Sequence, residues 1–145
     1  MYTCKRTHEI RAFNRFYTDL LGLLDTHLLE SEYSLAEARI LYEIFTGREI
    51  SASDIIQKLK VDKGYLSRIL KKLEKQELIT KKLSKGDARV TLISLTGDGV
   101  EVFHQLNNAS DKQIGALITE MNITQLDDLI NHMNAIMTLL QKSRD

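Results

Sequence analysis

The chain has 145 residues, 43% of them hydrophobic and 28% charged, which indicates about one folded domain and excludes a wholly disordered chain. No run approaches the ~20 apolar residues of a membrane helix, and the charged opening segment is unlike a signal peptide, so we expect a cytoplasmic protein with no membrane partner. Because the single cysteine, Cys4, cannot close an internal disulfide and the four histidines show no metal-ligand spacing, disulfide and zinc scaffolds are excluded and no cofactor is expected.

The first two helices are predicted from apolar spacing and from a capping motif, in a chain with no proline. Apolar residues recur at three- and four-residue steps from Ile10 to Leu28, which is typical of a helix with one buried stripe. Ser34 followed by Glu37 is a capping box, so a second helix is predicted to begin there and to continue to Gly47.

The next two helices predict a helix-turn-helix. Ser51 and Asp54 begin a short third helix, and Asp62 is a good N-cap for a fourth. The chain turns between them around Lys60–Val61, without the glycine often found in such turns. The predicted buried stripe of the fourth helix is Leu66, Ile69, Leu70 and Leu73, and the polar, basic residues left to face out are Lys63, Gly64, Tyr65, Ser67, Arg68, Lys71 and Lys72. Such a face suits the ~12 Å major groove of DNA.

A β-hairpin wing is predicted next, followed by two more helices. The segments 79–83 and 90–95 are rich in β-branched and apolar residues and flank a turn at Gly86–Asp87. Helical spacing resumes from Thr96, and Thr124 with Asp127 is expected to cap the last helix. The expected fold is therefore mainly α with a small β-hairpin wing, a winged helix-turn-helix.

Charge is segregated along the chain although 20 basic and 20 acidic residues cancel overall. Residues 57–90 contain 11 basic and four acidic side chains, a net charge of +7 that leaves −7 for the rest. A local positive field attracts phosphate within a Debye length of ~8–10 Å. The alternative is a solvated lysine-rich face with no partner.

The stretch from Asp62 to Thr96 resembles the MarR family of bacterial transcriptional regulators. The resemblance is carried by DKGYLSRILKKLEKQELI, by Asp87-x-Arg89 in the wing and by DARVTLISLT, and it extends over residues 10–140. The segments IRAFNRFYTDLLGLLDTHLLES and SLAEARILYEI also resemble the regulator half of proteins that join a MarR-type module to an acetyltransferase. No Gly-rich acetyl-CoA loop is present in this sequence, so that activity is not carried over.

The resemblance implies one MarR-like domain over residues 1–145 that forms a homodimer. Within it, residues 34–96 would form the DNA-binding lobe, and residues 5–33 and 97–145 the helical dimerisation region. The first, fifth and sixth helices carry long apolar stripes that one small lobe would not bury alone. The alternative is that these helices only close the core of the monomer.

The resemblance further implies sequence-specific binding of double-stranded DNA at a pseudo-palindrome, with half-sites ~10–10.5 bp apart. Ser67 and Arg68 are expected nearest the base edges, with Lys63 and Tyr65 next. Arg89 resembles the wing arginine that enters the minor groove, and Asp87 the carboxylate that orients it; a local hairpin salt bridge is the alternative. The expected phosphate contacts are Lys71, Lys72, Lys81, Lys82 and Lys85.

Family members commonly respond to small ligands, often aromatic or phenolic acids, or to oxidants through a cysteine. The candidate ligand-binding residues are Arg11, Tyr17, His27, Tyr33 and Tyr42, although Tyr17 also fits a core position. Cys4 is expected to precede the first helix, where a flexible terminal thiol is the alternative to a redox-active one.

Two other classes of function are alternatives to a DNA-binding regulator. No nucleophile is paired with a base, and no phosphate-binding glycine loop exists, so the chain is not expected to be an enzyme. A winged helix can also serve protein contact, as a regulatory module of a larger acetyltransferase-type polypeptide. A lysine-rich window is poorly suited to an apolar protein interface, and steep salt dependence would distinguish DNA binding from such contact.

Overall fold

The computed structural model describes residues 2–28 and 32–144, with side chains described for residues 4–24 and 32–143. Its elements are α1 (Tyr2–Leu28), α2 (Leu35–Gly47), β1 (Ile50–Ser51), α3 (Ala52–Leu59), α4 (Lys63–Lys75), β2 (Ile79–Leu83), β3 (Thr91–Leu95), α5 (Gly97–Ile118) and α6 (Ile123–Arg144). This mostly helical arrangement with a small antiparallel sheet confirms the predicted fold class. The chain divides into two compact units, Met1–Ser110 and Asp111–Asp145, so α5 contributes to both.

The predicted caps of α3 and α4 are confirmed. Ser51 Oγ accepts from the backbone N–H of Asp54 at 3.1 Å, and the Asp54 carboxylate accepts from the Ser51 N–H at 3.4 Å. Asp62 Oδ2 accepts from the Tyr65 N–H at 3.0 Å. These contacts satisfy backbone donors that the first helical turn leaves unpaired, and they fix where each helix begins.

Half of the predicted capping box of α2 forms. Ser34 Oγ accepts from the Glu37 N–H at 3.1 Å, but both carboxylate oxygens of Glu37 accept from Lys72 Nζ at 3.1 Å. A charged amine from another helix is a stronger partner for a carboxylate than a neutral backbone N–H. The carboxylate therefore connects α2 to α4.

The predicted cap of the last helix is wrong, and so is the predicted place of Cys4. Asn122 and Gln125 form a reciprocal box, in which Asn122 Oδ1 accepts from the Gln125 N–H at 2.8 Å and Gln125 Oε1 accepts from the Asn122 N–H at 3.0 Å. The helix therefore begins at Ile123, which places Thr124 inside it. At the other end of the chain α1 begins at Tyr2, so Cys4 lies within this helix and is exposed.

The turn between α3 and α4 uses a residue other than glycine, as predicted. Lys60 has φ 55° and ψ 39°, the left-handed conformation that commonly ends a helix, and its N–H donates to the Ile56 carbonyl at 2.8 Å. A side chain makes this conformation less favourable than it is for glycine, but the C-terminal hydrogen bond offsets the cost.

A third strand joins the predicted hairpin. The sheet order is β1-β3-β2, with β2 and β3 paired from Ile79 opposite Leu95 to Leu83 opposite Thr91. β1 is only two residues long, and its Ile50 pairs with Ile93 of β3. Two residues are too few to show a strand periodicity, so apolar spacing did not indicate β1.

The core of the first unit lies under α4. The predicted stripe of α4 is buried, which confirms that assignment, and it contacts buried side chains of α2, α3, the sheet and α5. The fully buried side chains are Ile40, Leu41, Ile44, Ile55, Leu66, Leu73 and Ile93. This packing fixes which side of α4 is left for solvent.

The predicted burial of the α1 stripe is wrong within this chain. Ile10, Phe13 and Phe16 are 59%, 45% and 67% exposed, and none of the described α1 side chains is buried. The stripe has helical spacing, but α1 does not close the core of its own unit. None of the described helices combines the length and the apolar composition that crossing a membrane requires.

Gly99 allows α5 to begin close to the turn that follows α4. A Cβ at this position would lie 2.0 Å from the Leu78 carbonyl oxygen and 3.3 Å from the Cβ of Leu95. The same Leu78 carbonyl accepts from the Thr96 N–H at 2.9 Å, and Thr96 Oγ1 donates to the Glu77 carbonyl at 2.8 Å. These hydrogen bonds hold the carbonyl in the space that a side chain would need.

We expect Gly99→Ala to lower the free energy of unfolding by at least ~1–3 kcal/mol, because the added methyl group must displace backbone atoms. Gly97→Ala is the matched control, since Gly97 lies in the same helical turn and nothing is within 4 Å of its Cβ position. Thermal unfolding followed by circular dichroism checks both variants. Equal melting temperatures for wild type and Gly99→Ala would contradict the close approach.

Candidate nucleic-acid interface

The exposed face of α4 is defined by the stripe buried beneath it. Successive side chains on a helix are rotated by about 100°, so the side opposite the buried stripe is occupied by Gly64, Arg68, Lys71 and Lys75. All four are exposed. We call these residues the outer face of α4. Its three cationic side chains make it a candidate surface for phosphate or for base edges.

Two residues predicted for DNA contact lie toward α2 instead of at the centre of the outer face. Tyr65 is 38% exposed and lines a small cavity of about 40 Å³ together with Ala36, Arg39 and Ile40 of α2. Lys72 donates to the Glu37 carboxylate of the same helix α2. Tyr65 therefore faces α2 across this cavity, and only Lys72 is engaged in an ion pair with α2.

The side of α4 that faces away from α2 and carries Lys63 and Ser67 forms a groove with α3 and the wing. This groove has a volume of about 340 Å³, with an apolar floor that includes Ile56, Leu66 and Ile93. Its polar lining is contributed by Ser53 of α3, Lys63 and Ser67 of α4, and Lys81 and Thr91 of the wing. The structure thus brings together Lys63, Ser67 and Lys81, three of the predicted DNA-binding residues.

The tip of the wing carries Asp87 and Arg89 in direct contact. Asp87 Oδ1 accepts from the Arg89 backbone N–H at 3.0 Å and from Arg89 Nε at 3.2 Å. The backbone N–H and then the guanidinium lower the pKa of the Asp87 carboxyl from its ordinary value, so it stays ionised to a lower pH than an isolated aspartate. The Arg89 side chain is 91% exposed, which leaves most of the guanidinium available to a partner.

Several lysines of the basic segment are paired with glutamates. The pairs are Lys58–Glu43 at 3.8 Å, Lys72–Glu37 at 3.1 Å, Lys81–Glu74 at 3.6 Å and Lys82–Glu49. Glu37, Glu43 and Glu49 come from outside residues 57–90, so the local positive charge of this surface is smaller than +7. The glutamates that pair with Lys81 and Lys82 are exposed, so these two pairs hold their lysines only weakly.

The remaining cations have no ion pair with any described side chain. They are Lys60, Lys63, Arg68, Lys71, Lys75 and Lys85. Lys75 was missed among the candidate site residues, although its spacing of four from Lys71 and seven from Arg68 places all three on one side of a helix. Lys85 lies with Lys82 in the wing, on the segment where both were predicted.

The candidate ligand residues are not brought to one place. Tyr42 lines a cavity of about 370 Å³ between α2 and the first half of α5, which Arg39 and Phe103 also line. Neither Arg11 nor Tyr17 lines this cavity.

The other candidate ligand residues lie elsewhere. Tyr17 stacks on Phe13 of the same helix at 5.7 Å between ring centroids. Tyr33 packs against the core, and burial raises the pKa of its hydroxyl. The side chain of His27 lies outside the described residues. Among the side chains that are described, no group of three or more His, Cys, Asp or Glu could hold a metal ion.

The winged-helix segment is similar to a known family of proteins, and the chain is similar to known transcriptional regulators. Residues 33–91 match the model of the MarR family. The chain is 25% identical over 123 residues to the HTH-type transcriptional regulator MgrA of Staphylococcus aureus, covering 83% of this chain and 78% of that protein. It is 24% identical over 106 residues to the HTH-type transcriptional regulator BilQ of Clostridioides difficile, covering 72% of each.

Solved MarR structures share the fold of the chain. The apo form of wild-type MarR from E. coli aligns with a TM-score of 0.77 at 20% identity, over 87% of this chain and 93% of that one. A mutant of the same protein complexed with operator DNA aligns with a TM-score of 0.74 at 20% identity, over 87% and 91% of the two chains. The MarR-type winged-helix fold therefore extends beyond residues 33–91. The resemblance to the regulator half of acetyltransferase fusion proteins stays a prediction.

Proposed function

We propose that this chain is a cytoplasmic transcriptional regulator of the MarR family that binds double-stranded DNA sequence-specifically, as a homodimer on a pseudo-palindromic operator. The observation that carries this proposal is the outer face of α4, where Arg68 and Lys71 are exposed on a capped helix anchored by a buried stripe. The exposed Arg89 at the tip of the adjacent wing adds a second cationic contact. The proposed activity is binding, and no catalytic role is assigned to any residue.

The proposed roles follow from where each side chain lies. Arg68 can donate a bidentate pair of hydrogen bonds to guanine from the outer face, and Ser67 and Lys63 lie beside it toward the wing. Lys71, Lys75 and Lys85, which lack described ion pairs, suit phosphate contacts that fix the register. Arg89 is proposed to enter the minor groove, with Asp87 orienting its guanidinium.

Further proposed contacts lie beside these. Lys81 and Lys82 are proposed to contact phosphate as well, because their exposed glutamate pairs hold them weakly. Tyr65 lies toward α2 and is proposed to reach DNA only at the edge of the interface.

Selection of bound sequences from a random DNA duplex pool tests the proposed function. We expect a palindromic motif, with affinity that falls steeply between about 50 and 200 mM salt because bound phosphates release counterions. Weak binding that shows no sequence preference would contradict the proposal. Salt-independent capture of a protein would instead favour the use of the winged helix for protein contact.

Arg68→Ala and Arg89→Ala are each expected to weaken binding to the selected site by ~1–3 kcal/mol. Of these two variants, only Arg68→Ala is expected to relax the preference for one base pair, because Arg68 and not Arg89 is proposed to contact a base edge in the major groove. Lys85→Ala is the matched control for a phosphate contact, and it should weaken all sequences about equally. Wild-type affinity of both arginine variants would show that the assigned roles of α4 and the wing are wrong.

The homodimer is proposed from the exposed apolar side chains of α1 and α6. Phe16 of α1 is 67% exposed, and Met137 and Leu140 of α6 are 59% and 57% exposed. Apolar stripes on long helices are costly to leave in water, and a second copy of the chain can cover them isologously. A pseudo-palindromic site requires the same two-fold symmetry.

We expect light scattering at micromolar concentration to give twice the chain mass of 16.6 kDa. Phe16→Lys should shift the population toward monomer, since it places a charge in the proposed interface. Asn14→Lys is the control, because Asn14 is an exposed polar residue of the same helix. A monomeric wild type would exclude the dimer.

A small aromatic or phenolic acid is the proposed effector. The cavity of about 370 Å³ between α2 and α5 is of ligand size, and Arg39 offers a cation while Tyr42 and Phe103 offer aromatic faces. We expect hydroxybenzoates to displace the selected operator in a fluorescence assay, and Tyr42→Ala to weaken that response. If Tyr17→Ala weakens the displacement by hydroxybenzoates and Tyr42→Ala does not, the ligand binds outside this cavity.

A further inference from the structure

The ion pair between Glu37 and Lys72 joins α2 to α4. Lys72 Nζ lies 3.1 Å from both carboxylate oxygens of Glu37, across 35 positions of the sequence. Glu37 lies in the first turn of α2, and Lys72 lies in the last turn of α4. The pair therefore links two different helices, α2 and α4, instead of two residues of one helix.

The backbone of Glu37 is held by the N-terminal cap of α2, independently of Lys72. Its backbone N–H donates to Ser34 Oγ at 3.1 Å, and its side chain is only 13% exposed. The Lys72 side chain is 45% exposed. A carboxylate that has lost most of its water is costly to leave without its cation, so moving Lys72 to a DNA phosphate would carry a penalty. Lys71, which has no described ion pair, carries no such penalty.

The position of Lys72 around the α4 helix also directs it toward α2. Lys72 follows Tyr65 by seven residues, so the two lie on one side of the helix, two turns apart. Tyr65 lines a small cavity with Ala36, Arg39 and Ile40 of α2. Tyr65 thus faces α2 across this cavity near the start of α4, and Lys72 is paired with α2 near the end of α4.

We propose that Lys72 is a positioning residue, which orients α4 through its ion pair with Glu37 and does not neutralise a DNA phosphate. This inference rests on the proposed DNA-binding function, and it revises the predicted phosphate contact of Lys72. Adjacent lysines of one helix then have different roles. Lys71 contributes to attraction of the DNA, and Lys72 sets the angle at which the outer face of α4 is presented.

The test measures affinity for the selected operator as a function of salt concentration. Lys72→Met keeps an unbranched side chain of nearly the same length but removes its charge, and Lys71→Met is the matched control. We expect Lys71→Met to reduce the slope of log affinity against log salt by about 0.9, the value for one phosphate contact. Lys72→Met should leave the slope unchanged and lower the affinity about two- to fivefold at every salt concentration, the range that one partly exposed ion pair supplies.

Glu37→Gln distinguishes the two roles by the sign of its effect. A positioning pair predicts that this variant weakens specific binding by about the same two- to fivefold factor, and that the double variant with Lys72→Met is no worse than either single one. If Lys72 contacts phosphate instead, removing the nearby carboxylate releases the lysine and tightens binding. Charge reversal by Glu37→Lys with Lys72→Glu should recover affinity relative to either single reversal.

Three results would overturn the positioning role. They are a slope reduced by about 0.9 in Lys72→Met, tighter binding by Glu37→Gln, or variants that lower the melting temperature while binding as wild type does. Circular dichroism confirms that each variant is folded before binding is measured. A wild type that selects no site overturns the proposed function itself, together with this inference. If the wild type does select a site, the proposed function stands, and the variants then test the positioning role of Lys72 alone.

Discussion

Burial of one apolar stripe orients the whole candidate interface. Leu66, Ile69, Leu70 and Leu73 are buried against α2, α3, the sheet and α5, and each such side chain stabilises the fold by ~1.5–3 kcal/mol. Because a helix has only one side opposite a buried stripe, the same packing leaves Arg68 and Lys71 exposed. The wing depends on this core too, since Ile79 and Ile93 are buried in it. The packing of the core thus determines where the cationic side chains of the candidate interface lie.

Electrostatics then divides the basic residues into paired and unpaired cations. The sequence places 11 basic residues between positions 57 and 90, but it does not show which of them meet a carboxylate. Glu37, Glu43 and Glu49 reach three of these lysines from α2 and from the segment before β1. These pairs involve Lys58, Lys72 and Lys82. Cations without an ion pair to a described side chain remain on the outer face of α4 and near the tip of the wing. A polyanion would therefore be attracted most strongly to the middle of α4 and to the wing.

Much of the fold was predictable because its determinants are local. The caps at Ser51 and Asp62 and the stripe of α4 depend on residues within one or two helical turns, so spacing alone reveals them. The two-residue strand β1 exists only because Ile50 meets Ile93, and the carboxylate of Glu37 is used by a lysine 35 positions away. Neither contact leaves a local pattern. The exposed stripe of α1 shows the same limit, since periodicity indicates an apolar side but not which surface covers it.

The proposed division of roles between Lys71 and Lys72 bears on how the proposed effector could act. α2 borders the cavity between α2 and α5 through Arg39 and Tyr42, and it holds α4 through Glu37. A ligand that shifts α2 would therefore act on the orientation of α4, but only as strongly as the linking contacts allow. One partly exposed ion pair is worth ~0.2–1 kcal/mol, which corresponds to at most about a fivefold change in affinity. A larger response would have to pass through the buried contacts of α2 and α4, where Ile40, Leu41 and Ile44 lie in the same core as the α4 stripe. In the proposed role of Lys72, the ion pair can thus tune the angle of α4, whereas the buried core holds α4 in place.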